Sequence, residues 1–173
     1  MELPVEILVL HGMLRQYRHD FTRGMADFDL ALQADPAMPM ALCLQGYFMH
    51  LMGLPALAAR ASGLHESVLK INNANARERT HIAALGAWCD GELERACSLF
   101  DAILNEHPRD MLALKLANYL YFYLGDAANV RDGPARALKA WDEGAPGYGH
   151  LLALHAFEQE TMAWRQRPPI ATA

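Results

Sequence analysis

The sequence predicts an all-α protein, a right-handed α-α superhelix built as a solenoid of about four helical hairpins plus an unpaired C-terminal helix. Three observations lead there. The phrase FDLALQADPAMPMALCLQGYFMHLMG (28–53) returns as FDAILNEHPRDMLALKLANYLYFYLG (100–125) at an offset of 72, with Phe28/Phe100, Asp29/Asp101, Leu32/Leu104, Pro36/Pro108, Ala41/Ala113, Leu42/Leu114, Leu44/Leu116, Tyr47/Tyr119 and Gly53/Gly125 identical. Gly91 lies 38 residues after Gly53 and 34 before Gly125, so the underlying period is about 36, passed twice; such periods mark stacked repeats. The apolar residues between these marks follow helical spacing, as in Phe100, Ile103, Leu104 and then Leu112, Leu116, Tyr119, Leu120, Tyr123, with no alternation of period two.

The elements follow in order. Helices are expected near 4–18, 23–34, 39–52, 55–70, 76–89, 92–106, 110–124, 134–143 and 148–164. Gly53, Gly91 and Gly125 close the turns inside hairpins, where a helix must stop and reverse through a left-handed residue. Pro36 and Pro108 fall in the turns between repeats, because proline lacks the N–H that would continue a helix, and Asp110 stands where it can cap the next one. Asn72, Asn73 and Asn75 supply turn and cap chemistry in a longer loop. Asp132, Gly133 and Pro134 are expected to break the fourth unit's second helix. The domain is expected over 1–164, followed by a polar, Pro-containing tail at 165–173.

Composition narrows the functional classes. With 173 residues, 53% hydrophobic and 20% charged, the chain has the make-up of one folded domain with a real core. A net charge of −5 with scattered Arg15, Arg77, Arg131 and Arg165 gives no basic footprint, so nucleic acid and membrane are not expected partners. Glu2 and Glu6 replace the positive start of a secretory leader, and no apolar run approaches the ~20 residues of a membrane span. Cys43, Cys89 and Cys97 sit in helical patterns without the spacing of a disulfide scaffold, which points to a reducing, cytoplasmic compartment.

Ala96, Phe100 and Pro108 in ACSLFDAILNEHP, and Gly24, Phe28, Ala31 and Pro36 in the first unit, resemble the second-helix pattern of tetratricopeptide repeats, whose unit is a 34-residue helix-turn-helix. The first-helix Trp of that pattern is absent, with Leu8, Leu42 and Leu114 in its place. The run RERTHIAALGAWCDGELERACSLFDAILNEHPRDMLALKLANYLYFYLGD, continuing through VRDGPARALKAWDEGAPGYGHLLALHAFEQE, is most similar to the tetratricopeptide repeat protein 38 family over about residues 20–160. The resemblance implies helical repeats and carries over no catalytic residue. Its members are longer, so the chain is read as truncated at the C-terminus. Leu151, Leu154, Phe157 and Trp164 of the last helix are then expected to be exposed, and a homodimer through that helix is expected.

In a tetratricopeptide stack the first helices line the concave surface. That projection selects Tyr47, His50, His81, Leu85, Trp88, Lys115, Tyr119, Phe122 and His155 as a groove for a peptide or protein segment, with aromatic anchors beside isolated polar groups. Ordinary packing between hairpins is the competing account of the same aromatics. The expected function is a non-catalytic scaffold or adaptor. The alternative is an incomplete N-terminal part of a longer enzyme or small-metabolite binder.

Other motifs point nowhere specific. A carboxylate clamp would need Lys and Asn one turn apart, whereas Lys115 is followed by Tyr119. No two of the eight histidines have the i, i+4 spacing of a helical zinc site, and neither metal nor cofactor is expected. PGYGH lacks the strand and Lys of a phosphate loop, and HESVL lacks the second His of a zincin. Acid–base chemistry would have to draw on Asp126, Asp132 or Asp142 near His150, residues that caps and turns explain equally well.

Overall fold

The computed structural model describes residues 21–165, with side chains described for 23–156. The helix expected at 4–18 and the tail after Arg165 lie outside the described residues. Those described are all-α, eight helices without a strand: α1 (Phe21–Ala34), α2 (Pro39–Leu51), α3 (Pro55–Val68), α4 (Ala76–Cys89), α5 (Leu93–Glu106), α6 (Met111–Leu124), α7 (Ala127–Leu138) and α8 (Tyr148–Arg165). They fall into two units, the first ending at Glu92 and the second beginning at Leu93.

In the first unit α2 is the interior helix. Pro39 through Met49 are buried without a break, which is what a helix apolar on every side must do to escape water. It packs on α1, α3 and α4. Toward α1, Ala31 and Ala41 meet with Leu32 and Met38 around them, and the Gln45 side chain donates to Asp29 Oδ1 at 2.6 Å. Toward α4, Gly46 is the point of closest approach: a Cβ there would stand 2.8 Å from Leu85 Cδ2. The boundaries are local in origin. Pro39 and Pro55 occupy the first turns of α2 and α3, where a missing N–H is harmless. Asn75 and Glu78 form a reciprocal capping box at α4. Gly53, Gly91 and Gly125 adopt φ of 65°, 77° and 73°, the left-handed turns that the sequence predicts.

In the second unit α6 packs on α5 and α7, and α7 packs on α8. Ala96, Cys97, Phe100 and Ile103 form the buried stripe of α5. Asp110 caps α6 by accepting from the Ala113 N–H at 3.0 Å, and Asp126 caps α7 by accepting from Asn129 N–H at 3.1 Å. Two expectations are corrected here. The second helix of this hairpin is not broken at Asp132–Pro134; it runs unbroken through Pro134 over 127–138 instead of 134–143. The carbonyl four residues before Pro134 is Val130 O, and the Asn118 side chain donates to it at 3.1 Å, replacing the N–H that proline lacks. Leu151 is not exposed either: it is fully buried with Leu114 and Ala137, beside partly buried Trp141 and Leu154. Only Leu152, at 42%, is a strongly exposed large apolar residue of the described part of α8. Phe157 and Trp164 lie outside the described side chains.

The loop between α7 and α8 is pinned to the loop before α6. Trp141 Nε1 donates to Pro108 O at 3.0 Å, and Arg109 donates to Ala140 O at 2.6 Å and to Asp142 at 2.9 Å.

Candidate functional site

The groove residues expected from sequence divide between the two units. In the first unit, Tyr47, His50, His81, Leu85 and Trp88 do come together where α2 meets α4. The Tyr47 hydroxyl donates to His81 O at 2.6 Å and lies 3.3 Å from His81 Nδ1. The Trp88 ring stacks on His50 at 5.2 Å and tilts against Tyr47 at 6.0 Å. His50 Nε2 is 3.3 Å from Cys89 Sγ. Their location is interior: Tyr47, His81 and Leu85 are 1%, 0% and 0% exposed. The helical spacing that places a side chain on the first-helix face also places it against the next first helix. Here the second destination holds for these three residues, and His50 remains half-buried. Burial pulls the His50 imidazole below its ordinary pKa, so the ring is held neutral.

In the second unit, Lys115, Tyr119 and Phe122 lie on α6 and His155 on α8. Phe122 is 55% exposed and Tyr123, a residue the groove projection omits, is 67% exposed. Tyr119 and Tyr123 rings sit 4.7 Å apart and Phe122 meets Tyr123 edge-on at 6.4 Å, a run of three rings along the last turns of α6. Tyr123 was legible in the sequence as the i+4 neighbour of Tyr119. Burial, then the hydrogen bond with Tyr123, pushes the Tyr119 phenol up to about 12. Burial lowers the half-buried Lys115 ammonium; His150 is lowered by burial and then by the Lys115 charge. His155 is half-buried.

A second concavity, which sequence reasoning missed, lies within the second unit. It is an open cleft of about 500 Å³ lined by α5 residues Asp101, Leu104 and Asn105 and by α7 residues Asn129, Gly133, Arg136 and Ala137, with Pro108 at its edge. Its walls are second helices, not the first helices to which the groove was assigned. The signal in the sequence was the pair of polar faces Asp101/Asn105 and Asn129/Arg136, spaced by four and by seven residues. Tyr121 donates its hydroxyl to Asp101 Oδ2 at 2.6 Å, and Arg136 Nη2 stands 4.0 Å from Asp101 Oδ1.

The acid–base candidates have structural occupations. Asp126 caps α7, Asp132 pairs with Arg131 at 2.6 Å and Asp142 pairs with Arg109 at 2.9 Å. Among the described residues no three His, Cys, Asp or Glu side chains converge as a metal site, and no helix is long and apolar enough to cross a membrane.

No family model matches the chain. Among solved structures it is similar to the crystal structure of a tetratricopeptide repeat protein from Parabacteroides merdae ATCC 43184, with a TM-score of 0.55 and 19% identity over 92% of this chain and 59% of that one. The chain thus spans about three fifths of that protein's length. The likeness, together with the helical hairpins, shows a tetratricopeptide-like helical-repeat fold.

Proposed function

We propose that the chain is a non-catalytic repeat scaffold, similar to the tetratricopeptide repeat protein 38 family, that holds a peptide or protein segment on its first-helix face in the cytoplasm. The observation that carries this reading is the ring run of α6. Two large aromatics, Phe122 and Tyr123, stand more than half exposed one beside the other, with Tyr119 and Lys115 on the same helix. Exposed aromatic clusters next to a cation are the anchors that peptide-binding surfaces use. In this reading Lys115, Tyr119 and Phe122 touch the segment, with His155 on the neighbouring helix, while Tyr47, His50, His81, Leu85 and Trp88 pack α2 against α4 within the first unit.

The test is a peptide-library selection against the full chain, followed by binding measurements on the enriched sequences. Phe122→Ala combined with Tyr123→Ala removes two exposed rings and, with Tyr123, its surface contact with Tyr119, so helical circular dichroism is unchanged and affinity falls by about tenfold or more. Undiminished affinity in the double variant overturns the reading.

The alternative, an incomplete part of a longer enzyme or small-metabolite binder, has one observation in its favour: the α5–α7 cleft, whose volume is within the usual range for small ligands. Its lining contains a carboxylate and a guanidinium but no histidine, which suits binding better than acid–base chemistry.

A further inference from the structure

We infer that the α5–α7 cleft is a binding site for the head group of a free α-amino acid, with Arg136 taking the carboxylate and Asp101 the ammonium. The inference takes up the binding half of the alternative reading and is independent of the α6 rings.

The cleft's polar groups are held in place yet incompletely used. Asp101 is oriented by the Tyr121 hydroxyl, which occupies Oδ2 at 2.6 Å. Its other oxygen, Oδ1, stands 4.0 Å from Arg136 Nη2, beyond hydrogen-bonding reach. A carboxylate and a guanidinium therefore lie side by side, each with capacity for a further partner. The pair is half open to water, where such contacts contribute little, so a ligand entering between the two groups displaces almost nothing. Asn105, one turn beyond Asp101, presents an exposed side chain in the cleft lining. Asn129, which also lines the cleft, donates its side-chain N–H to Asp126 Oδ2 at 2.8 Å. Gly133, between Asn129 and Arg136 on the same helix, adds no side chain to the opening.

This set discriminates among ligand classes. A phosphate or a simple carboxylic acid pairs with Arg136 but meets the Asp101 charge, and a simple amine pairs with Asp101 but meets Arg136; like charges at such range repel. A zwitterion carrying both charges on one carbon satisfies both residues together through charge-assisted hydrogen bonds. The remaining volume, of the roughly 500 Å³ available, accommodates a side chain alongside Leu104, Pro108 and Ala137.

The experiment is a ¹⁵N chemical-shift titration of the full chain with glycine, L-leucine and L-glutamine, run against N-acetyl-L-glutamine and L-glutaminamide, each of which lacks one of the two charges. Saturable shifts confined to α5 and α7 are expected from the zwitterions and are absent with the two blocked compounds. Arg136→Gln should weaken binding by about tenfold or more, the scale of losing a charge-assisted pair. Asn105→Ala, at an exposed residue of the cleft lining, should weaken it severalfold. The inference fails if no zwitterion gives saturable shifts, if a blocked compound binds as well as the free amino acid, or if both variants bind like the wild type. Amino-acid binding retained in the Phe122→Ala, Tyr123→Ala variant separates this site from the peptide-binding face.

Discussion

The Asn118 side chain donates to the Val130 carbonyl at 3.1 Å, filling the acceptor that Pro134, four residues on, leaves without its helical N–H. A helix with an internal proline ordinarily kinks or ends; α7 is continuous because a neighbouring helix supplies the missing donor. Asn118→Ala should therefore destabilise the protein by about 1–3 kcal/mol, the cost of a buried acceptor left unmet. In a Pro134→Ala background, where residue 134 regains its N–H, the same substitution should cost less. Urea denaturation of the four proteins measures the coupling, and additive effects would refute the donor role.

Tyr47 joins α2 to α4 through its hydroxyl, which reaches the main-chain oxygen of His81, 34 residues away and inside the fold. Tyr47→Phe keeps the ring contacts with His81 and Trp88 and removes the hydroxyl's contacts with His81 O and His81 Nδ1. A loss of about 1 kcal/mol is expected, since His81 O retains its helical partner, measurable as a lower denaturation midpoint with unchanged helicity.

The three thiols differ in accessibility. Burial, reinforced by Glu78 at Cys43 and by Asp101, Glu94 and Asp126 at Cys97, pushes both of those thiols up to about 12, and both are buried. Cys89 is also raised by burial but is half-exposed beside His50. Ellman's reagent at mildly alkaline pH should titrate one thiol in a fast phase and the other two only on unfolding. Cys89→Ser should abolish the fast phase; its persistence would mean that Cys43 or Cys97 becomes exposed on the labelling timescale.

Acidification should weaken the fold in a window set by histidine. Burial lowers His50 from its ordinary 6.5, and burial with Lys115 lowers His150. The unfolded chain therefore binds protons at these positions before the folded one does, so stability rises with pH through this range. That contribution is complete above pH 6.5 and disappears as the pH falls through the lower folded values. The denaturation midpoint should drop on going from about pH 7.5 to about pH 5, and His50→Gln with His150→Gln should flatten the drop. An equal drop in the double variant would assign the effect to other groups.

Helix boundaries, turn glycines and caps were legible because each is decided within about four residues. Gly53, Gly91 and Gly125 need only a left-handed turn, and Asn75, Asp110 and Asp126 each cap a backbone N–H in the first turn that follows them. The repeat was legible for the same reason, since it is a recurrence of local signals at a fixed offset. Pro134 misled because its rescue comes from Asn118 on another helix. Leu151 misled because the Leu114 and Ala137 that cover it belong to α6 and α7. The spacing grouped Tyr47, His50, His81, Leu85 and Trp88, residues that meet where α2 packs on α4, but a period of 3.6 says which residues share a face and not whether that face meets water or another helix.

By itself, then, the order of residues determined an all-helical chain of tandem hairpins with its turns and caps in place, since those depend on backbone preferences and contacts a turn away. Tertiary structure alone decided which aromatics are buried and which stand free on α6, how α7 survives its proline, and that Asp101 and Arg136 face one another across a cleft. Each of these depends on what lies opposite a side chain, and that is set only when distant helices pack.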